Sequence, residues 1–163
     1  MTDAAIVIRR AERRDLQAVG RMGALLLRRH YDFDTRRFMA PLTGSEDGYA
    51  AFLGAQLHRD DAIVCVAERA GTVVGYVYAG VEPLSWKELR DEAGFIHDVY
   101  VDEDARGQGV ATALLEHAAA WLADRGMPRV LLWTAALNAA ARRLFTKLGF
   151  RQTMIEMTRE VGG

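Results

Sequence analysis

The chain has 163 residues, of which half are hydrophobic and 26% are charged, and its formal net charge is -1. A chain of this length suits one domain, here residues 1–163, and this apolar content excludes an intrinsically disordered protein. The balanced charge creates no strong field for nucleic acid or an anionic membrane, so neither is expected as a partner.

The chain shows no signal for export, membrane insertion or metal binding. Its first residues lack a basic stretch followed by an apolar run, and no run is long enough to span a bilayer. The single cysteine, Cys65, lies in an apolar run and has no partner for a disulfide. No Cys/His spacing predicts a zinc site. We therefore predict a cytoplasmic protein without a bound metal.

The first half of the chain predicts a strand, two helices and a hairpin. Asp15 precedes an amphipathic run and is placed to cap the first helix. The turn at Arg69, Ala70 and Gly71 separates two apolar runs of strand type. The predicted ranges are a strand at 6–8, helices at 16–30 and 45–58, and strands at 62–67 and 72–80.

The second half predicts alternating strands and helices. Gly126 and Gly149 follow the last periodic residues of two helices, the position that favours a helix-ending glycine. The predicted ranges are a strand at 95–101, a helix at 110–125, a strand at 129–134, a helix at 138–148 and a last strand at 150–160. The pattern β-α-α-β-β-β-α-β-α-β indicates a mixed α/β domain.

The turn between the strand at 95–101 and the next helix carries the clearest chemical signal. Gly107 and Gly109 let the backbone approach a ligand closely, and the helix that follows offers unpaired N–H groups. Such a helix start binds phosphate or pyrophosphate, and Arg106 and Thr112 supply further donors. Turn chemistry alone is the alternative. The residue pattern fits neither a nucleoside-triphosphate loop nor a dinucleotide fingerprint.

Two segments together carry a family resemblance. The run Arg106-Gly107-Gln108-Gly109-Val110-Ala111, after a strand ending Tyr-Val, resembles the acyl-CoA pyrophosphate loop of the GNAT-type N-acetyltransferase superfamily. The helix from Asn138 that ends in Gly149-Phe150 resembles its second signature, and Ile8-Arg9-Arg10-Ala11 with Asp15 resembles its usual start. The resemblance implies a GNAT fold: a mixed, mostly antiparallel sheet of about six to seven strands flanked by four helices. It also implies acetyl transfer from acetyl-CoA to a primary amine and a possible homodimer.

The resemblance assigns a coenzyme site. In this superfamily the pantetheine arm lies along the fourth strand, and amides at the start of the next helix hold the pyrophosphate. The residues implied here are Val99, Tyr100, Val101, Arg106, Gly107, Gln108, Gly109, Val110, Ala111, Thr112, Asn138 and Phe145. Asn138 is equally a candidate to cap its own helix.

The catalytic positions depart from the family pattern. Relatives often carry a glutamate base where this chain has Phe95, and a tyrosine acid where it has Phe145. Strand alternation predicts that Phe95, His97, Val99 and Val101 share one face, with Asp98 opposite in a structural role. His97 is one candidate base, and Glu156 in the predicted last strand is another base or an anchor for a cationic amine. Each has a packing or solvent-exposed alternative.

The acceptor site is implied only loosely. In the superfamily the loop after the first helix contributes to it, which nominates Tyr31, Asp32, Phe33 and Asp34, with Phe38 as a further wall. Trp86, before the fourth strand, is another candidate wall. A solvated acidic loop is the alternative, and the acceptor stays open between small molecules and peptides. Two further functions stay open: a silent acyl-CoA-binding module on the same fold, and a phosphate-binding domain unrelated to the coenzyme.

Overall fold

The computed structural model describes residues 4–162. It contains five strands and four α-helices in this part of the chain. In chain order they are β1 (Ile6–Arg10), α1 (Leu16–Phe33), α2 (Ser45–Gln56), β2 (Ala62–Arg69), β3 (Thr72–Glu82), β4 (Ala93–Val101), α3 (Val110–Asp124), β5 (Val130–Leu132) and α4 (Ala139–Lys147). Short 3-10 turns, Arg13–Asp15 and Glu103–Ala105, precede α1 and α3.

The strands form one sheet in the order β1-β2-β3-β4-β5. The first three pairings are antiparallel, and β4 pairs with β5 in parallel. The predicted mixed, mostly antiparallel sheet with four helices is therefore confirmed. The sheet has five strands in the described residues rather than six or seven.

The predicted last strand at 150–160 is wrong for this structure. Every residue from 151 to 162 is exposed, and none of them belongs to a helix or strand. We call residues 151–162 the C-terminal segment. A strand needs a hydrogen-bonded neighbour, and within the described chain this segment has none. The strand before it is also shorter than predicted, Val130–Leu132 against 129–134.

Helices cover both faces of the sheet, and an apolar core lies on each side. The core on the α3 and α4 side includes Cys65, Val77, Ile96, Leu114 and Phe145. The core on the α1 and α2 side includes Val19, Met22, Leu53, Val66 and Tyr76. Neighbouring residues of β2 and β3 therefore enter opposite cores, because side chains alternate between the two faces of a strand and both faces of this sheet are buried.

Two glycines in α1 allow α2 to pack unusually close. A methyl group at Gly20 would lie 2.6 Å from the carbonyl oxygen of Glu46, and one at Gly23 would lie 2.1 Å from the Tyr49 ring. Only a residue without a Cβ atom fits at such distances. The close contact holds the Tyr49 side chain over the sheet, where it reaches β4.

The first helix begins at Leu16 as predicted, but the Asp15 side chain does not cap it. The buried Asp15 carboxylate accepts two hydrogen bonds from the Arg9 guanidinium, at 2.7 and 2.9 Å, and one from the Glu12 amide at 2.8 Å. Arg9 also donates to Glu68 on β2. The Arg9 hydrogen bonds lower the pKa of Asp15 despite its burial. This cluster fixes β1, β2 and the start of α1 together.

Candidate functional site

The parallel pair β4 and β5 separates after a short contact, and the separation opens a cavity. The two strands pair only where Gly94, Phe95 and Ile96 face Val130–Leu132. From His97 to Val101, β4 has no partner strand on that side in the described sheet. The resulting β4–β5 cavity has a volume of about 260 Å³. Most of its wall is apolar, with His30, His97 and Asp98 as the titratable side chains besides Tyr49. It is lined by Leu26, Leu27, His30, Phe38, Met39, Tyr49, Ile96, His97, Asp98, Val99, Leu132, Trp133, Thr134, Asn138, Ala141 and Phe145.

A β-bulge at His97 sets which side chains enter this cavity. Tyr78 of β3 faces Asp98 and Ala79 faces Ile96, so His97 is an extra residue without an opposite partner. The His97 ring stacks on Phe95 with centroids 5.0 Å apart, and lies 4.8 Å from the Tyr78 ring.

The bulge overturns the predicted alternation along β4. Asp98 turns to the α1 and α2 side, the same side as His97, because the extra residue resets the two-residue period. Val99 and Val101 pack with the core of α3 instead. The prediction that His97 shares a face with Val99 and Val101, with Asp98 opposite, is therefore wrong.

Asp98 is the site residue whose position the sequence did not reveal. Its Oδ2 accepts hydrogen bonds from the Tyr49 hydroxyl at 2.8 Å and the Tyr76 hydroxyl at 3.0 Å. Burial raises the pKa of Asp98, although the two tyrosine hydrogen bonds act to lower it. Its structural hydrogen bonds match the expected role as a polar partner inside the fold. Its place in the cavity wall gives it access to a ligand as well. No local sequence signal predicts this, because the placement depends on the bulge and on α2.

His97 has a carboxylate partner. Its Nε2 lies 2.8 Å from an Oε1 of Glu82 at the end of β3. When Nε2–H donates this bond, Nδ1 of the neutral ring keeps a free lone pair that can accept a proton. Glu82 therefore orients the imidazole, a role that the sequence pattern did not indicate.

The loop before α3 has the shape of an anion cradle. Gly107 and Gly109 adopt positive φ angles of 73° and 80°, and a Cβ at either would meet nothing within 4 Å. The first α-helical bond in this turn runs from the Ala113 amide to the Gly109 carbonyl, at 3.0 Å. The first amides of a helix have no intrahelical carbonyl to bond, and here they lie next to glycines with open space around them. A helix start of this kind can bind an anionic group such as phosphate.

Cations flank the cradle. Arg106 Nε donates to the Val101 carbonyl at 2.9 Å, and its guanidinium lies 5.5 Å from the Tyr100 ring centroid. These contacts hold the side chain beside the end of β4. Arg69, which the sequence reasoning did not nominate, donates to the Gln108 side chain from the neighbouring hairpin. The cradle thus has two arginines within reach.

The second signature segment supplies the far wall of the cavity. The Asn138 side chain accepts a hydrogen bond from the Ala141 amide at 3.2 Å, so it caps α4 while it lines the cavity. Phe145 is buried, lines the cavity and packs against Phe150. Both predicted features of Asn138, capping and proximity to the site, coexist in the structure.

The other nominated residues lie outside the cavity wall. Glu156 is exposed and forms a two-pronged ion pair with Arg37, which lowers the pKa of its carboxyl. Asp34 caps a turn by accepting from the amides of Arg36 and Arg37. The structure does not bring Tyr31, Asp32, Phe33, Asp34, Trp86 or Glu156 into the lining. Phe38, nominated as a further wall, does line the cavity, and Met39 of the same loop joins it.

Residues 4–162 contain no group of three or more His, Cys, Asp or Glu side chains arranged to hold a metal ion. None of the helices in that range has the length and apolar character needed to cross a bilayer.

Residues 27–150 match the family model described as the acetyltransferase (GNAT) family. The mycothiol acetyltransferase of Cellulomonas flavigena is 38% identical over 103 residues, which cover 60% of this chain and 29% of that relative. The match therefore spans less than a third of that relative's length.

Solved structures share the fold. A mutant of the BH1408 protein from Bacillus halodurans superposes with a TM-score of 0.81 at 20% identity, covering 95% of this chain and 99% of that chain. The aminoglycoside N-acetyltransferase AAC(6')-Iy in complex with CoA gives a TM-score of 0.78 at 18% identity, with 97% and 95% coverage. At these identities the likeness concerns the fold alone, and it confirms the predicted GNAT architecture.

Proposed function

Since the chain belongs to the GNAT acetyltransferase family, we propose that it transfers an acetyl group from acetyl-CoA to a primary amine by direct attack in a ternary complex. The observation that carries this proposal is that one strand, β4, connects the β4–β5 cavity with the anion cradle. β4 borders the cavity along residues 96–99 and then leads, through Val101 and Arg106, into the anion cradle. One extended ligand with a pyrophosphate at one end and a thioester at the other suits that path.

The chain's own groups would hold the coenzyme at three places. Amides from Gln108 to Thr112 and the Arg106 guanidinium meet the pyrophosphate. The unpaired side of β4 at Val99 and Val101 receives the pantetheine arm as an added strand. Asn138 and Phe145 close the cavity on the α4 side. Acetyl-CoA supplies an activated acetyl group on a good leaving thiol.

His97 is the proposed general base. Its ring lies at the cavity wall, is fixed by stacking on Phe95, and is oriented by Glu82. Removal of the ammonium proton by Nδ1 frees the nitrogen lone pair, which attacks the thioester carbon while both substrates are held side by side. The tetrahedral intermediate loses its second nitrogen proton to water and collapses, which breaks the C–S bond and releases the CoA thiolate to take a proton from water. Backbone N–H groups on the unpaired side of β4 stabilise the oxyanion. Glu156, which is exposed and paired with Arg37, is not assigned to this step.

Asp98 is the proposed anchor for the acceptor's ammonium group. Among residues 4–162 it is the only carboxylate in the cavity lining, and the two tyrosine hydroxyls fix its position. Leu26, Leu27 and Phe38 form an apolar wall on the α1 side. One anionic group beside an apolar wall suits an amine with a single positive charge and an apolar or aromatic body, better than a polycation.

The test is a thiol-release assay with acetyl-CoA across matched acceptors. Arylalkylamines, aliphatic monoamines, an aminoglycoside, a sugar amine and peptides with an apolar N-terminus cover the candidate classes. We expect the highest kcat/KM for apolar monoamines. A preference for aminoglycosides or sugar amines would contradict the acceptor assignment while leaving acetyl transfer intact.

Phe145 favours one alternative function. It lies in the cavity where many relatives place a proton-donating tyrosine, and its ring cannot donate. A catalytically silent acyl-CoA-binding module would bind CoA tightly in calorimetry and release no thiol with any amine in the panel. Turnover with one acceptor excludes it.

A further inference from the structure

His30 is a polar side chain in the apolar α1 wall of the β4–β5 cavity, and the proposed chemistry does not use it. It lies in the last turn of α1 and lines the cavity together with Leu26, Leu27 and Phe38. Its ring packs edge-on against the Phe38 ring, with the centroids 5.1 Å apart. A half-buried imidazole among apolar side chains needs a hydrogen-bond partner at each nitrogen, because an unpaired polar atom away from water costs free energy.

The hydrogen bond of His30 fixes the tautomer of its neutral ring. Nδ1 lies 2.9 Å from the carbonyl oxygen of Leu26, one helical turn earlier. A carbonyl oxygen can only accept, so Nδ1 carries the hydrogen and Nε2 keeps a lone pair. Over residues 4–162 this is the one hydrogen bond of the ring. The far end of the His30 ring is therefore a free hydrogen-bond acceptor.

His30 lies within reach of a small ligand that is bound to Asp98. Both side chains line the cavity, and they are close enough to interact electrostatically. An amine whose ammonium group binds Asp98 and whose body lies against Leu26 and Phe38 therefore contacts the His30 ring as well.

The lone pair on Nε2 distinguishes two kinds of acceptor body. A purely apolar body would displace water from Nε2 and leave the nitrogen unpaired, which costs free energy. A body that carries a hydroxyl or a ring N–H would replace the lost hydrogen bond. The α1 wall therefore favours a donor on the acceptor, at a distance from the reacting nitrogen.

We propose that His30 selects acceptor amines whose apolar body carries a hydrogen-bond donor, such as a phenol hydroxyl or an indole N–H, which donates to Nε2. This assignment rests on the proposed function, because it takes the cavity as the acceptor site and Asp98 as the ammonium anchor. It adds a second polar contact to the acceptor class, and it makes His30 a residue that determines specificity.

Matched pairs of amines test the selection in the thiol-release assay. Phenethylamine is compared with its meta-hydroxy and para-hydroxy forms, and tryptamine with its ring-N-methyl form. In at least one pair we expect the member with the donor to have a KM about threefold to tenfold lower, as one neutral hydrogen bond provides. The para-methoxy form, which keeps the oxygen but cannot donate, should match phenethylamine. Equal KM values within every pair overturn the proposal.

Two variants of His30 separate its ring nitrogens. An Asn amide reaches the position of Nδ1 and can keep the bond to Leu26, whereas a Gln amide reaches the position of Nε2 and can present its oxygen there. His30→Asn should abolish the preference for the donor, and His30→Gln should keep most of it. His58→Asn, at an exposed histidine outside the cavity wall, should leave it unchanged. A preference that survives in His30→Asn, or equal losses in the Asn and Gln variants, contradicts the assigned bond.

Nitrogen NMR of the CoA-loaded protein gives a readout that needs no turnover. The Nε2 signal of His30 should lie at the position of an unprotonated imidazole nitrogen and move to lower frequency with the hydroxylated amine, but not with phenethylamine. An unmoved signal with the hydroxylated amine bound, or no binding of any amine, overturns the proposal. Acetyl transfer without a preference for the donor refutes the role of His30 alone, whereas binding without thiol release refutes the proposed function and leaves the NMR test of His30 in force.

Discussion

At the scale of single residues, the neighbours His97 and Asp98 on β4 have different proposed roles, proton removal and amine binding. His97 is oriented by Glu82, and Asp98 is held by Tyr49 and Tyr76. One can accept a proton and the other can hold a positive charge. These roles separate in kinetics, because the first acts on kcat and the second on the KM for the amine.

Asp98→Asn tests the anchor. The amide oxygen can still accept from the tyrosines, but the charge is gone. We expect the KM for the amine to rise about tenfold, equal to about 1.4 kcal/mol, with unchanged affinity for CoA. Steady-state kinetics and calorimetry measure both. Asp91→Asn, an exposed acid just before β4, is the matched control.

The same variant makes a prediction for stability. Because the pKa of Asp98 is raised in the folded chain, the folded carboxyl keeps its proton at pH values where the unfolded one has lost it. The contribution of Asp98 to the free energy of unfolding therefore falls as the pH rises from its ordinary pKa of 3.8 through its raised pKa in the folded chain. Asp98→Asn should flatten this slope and leave the free energy of unfolding at neutral pH unchanged or higher, as denaturant titration can show. A marked loss would mean that the charge itself stabilises the fold.

His97→Ala tests the base. We expect kcat to fall about a hundredfold, the lower end of what a positioned base contributes, with the largest loss below neutral pH. Residual activity should climb with pH as free amine becomes available. His117→Ala, on the exposed side of α3, serves as control. An unaltered pH profile in His97→Ala would assign proton removal to another group or to water.

At the scale of elements, each site element is fixed by a specific local feature. The positive φ angles at Gly107 and Gly109 bring the start of α3 to face open space, and the Arg9–Asp15 cluster anchors the start of α1 to the sheet. The glycine turn is tested by coenzyme binding, and the Arg9–Asp15 cluster is tested by the free energy of unfolding.

Gly109→Asp tests the cradle. A carboxylate beside the first amides of α3 would occupy and charge the space where we propose that the pyrophosphate binds, so we expect the Kd for CoA to rise at least about a hundredfold, or about 2.7 kcal/mol. Gly44→Asp is a close control, because Gly44 also caps a helix in the left-handed conformation with open space around it. Calorimetry should show unchanged CoA affinity for that variant. Similar losses in both would trace the effect to backbone strain.

Asp15→Asn tests the anchor of α1. Removing one partner of a mostly buried ion pair leaves Arg9 partly uncompensated, and we expect a loss of about 2–3 kcal/mol in the free energy of unfolding at neutral pH. Because the pKa of Asp15 is lowered in the fold, its contribution is present above 3.8 and disappears as the pH falls through the folded value. The variant and the parent should therefore converge in acid. A constant difference at all pH values would contradict the ion-pair explanation.

At the scale of the whole molecule, the sequence predicted those features that depend on interactions between residues close together in the chain. The helix starting at Val110, the glycine turn before it, and α4 with its Asn138 cap follow from capping and periodicity, and the structure has all three. The bulge at His97 and the tyrosines over Asp98 depend on pairing with β3 and on α2, which no run of neighbouring residues encodes. The predicted last strand failed because a strand needs a hydrogen-bonded partner, and no strand within residues 4–162 pairs with that segment.

Straightening the bulge in β4 with every residue kept would change which side chains face the cavity. Side chains of a strand alternate between its two faces, and the extra residue at His97 shifts this alternation by one residue, directly after the last residue that pairs with β5. Restoring the regular alternation would send the Asp98 carboxylate across the sheet into the apolar core under α3, and would turn the valines that follow toward the tyrosines.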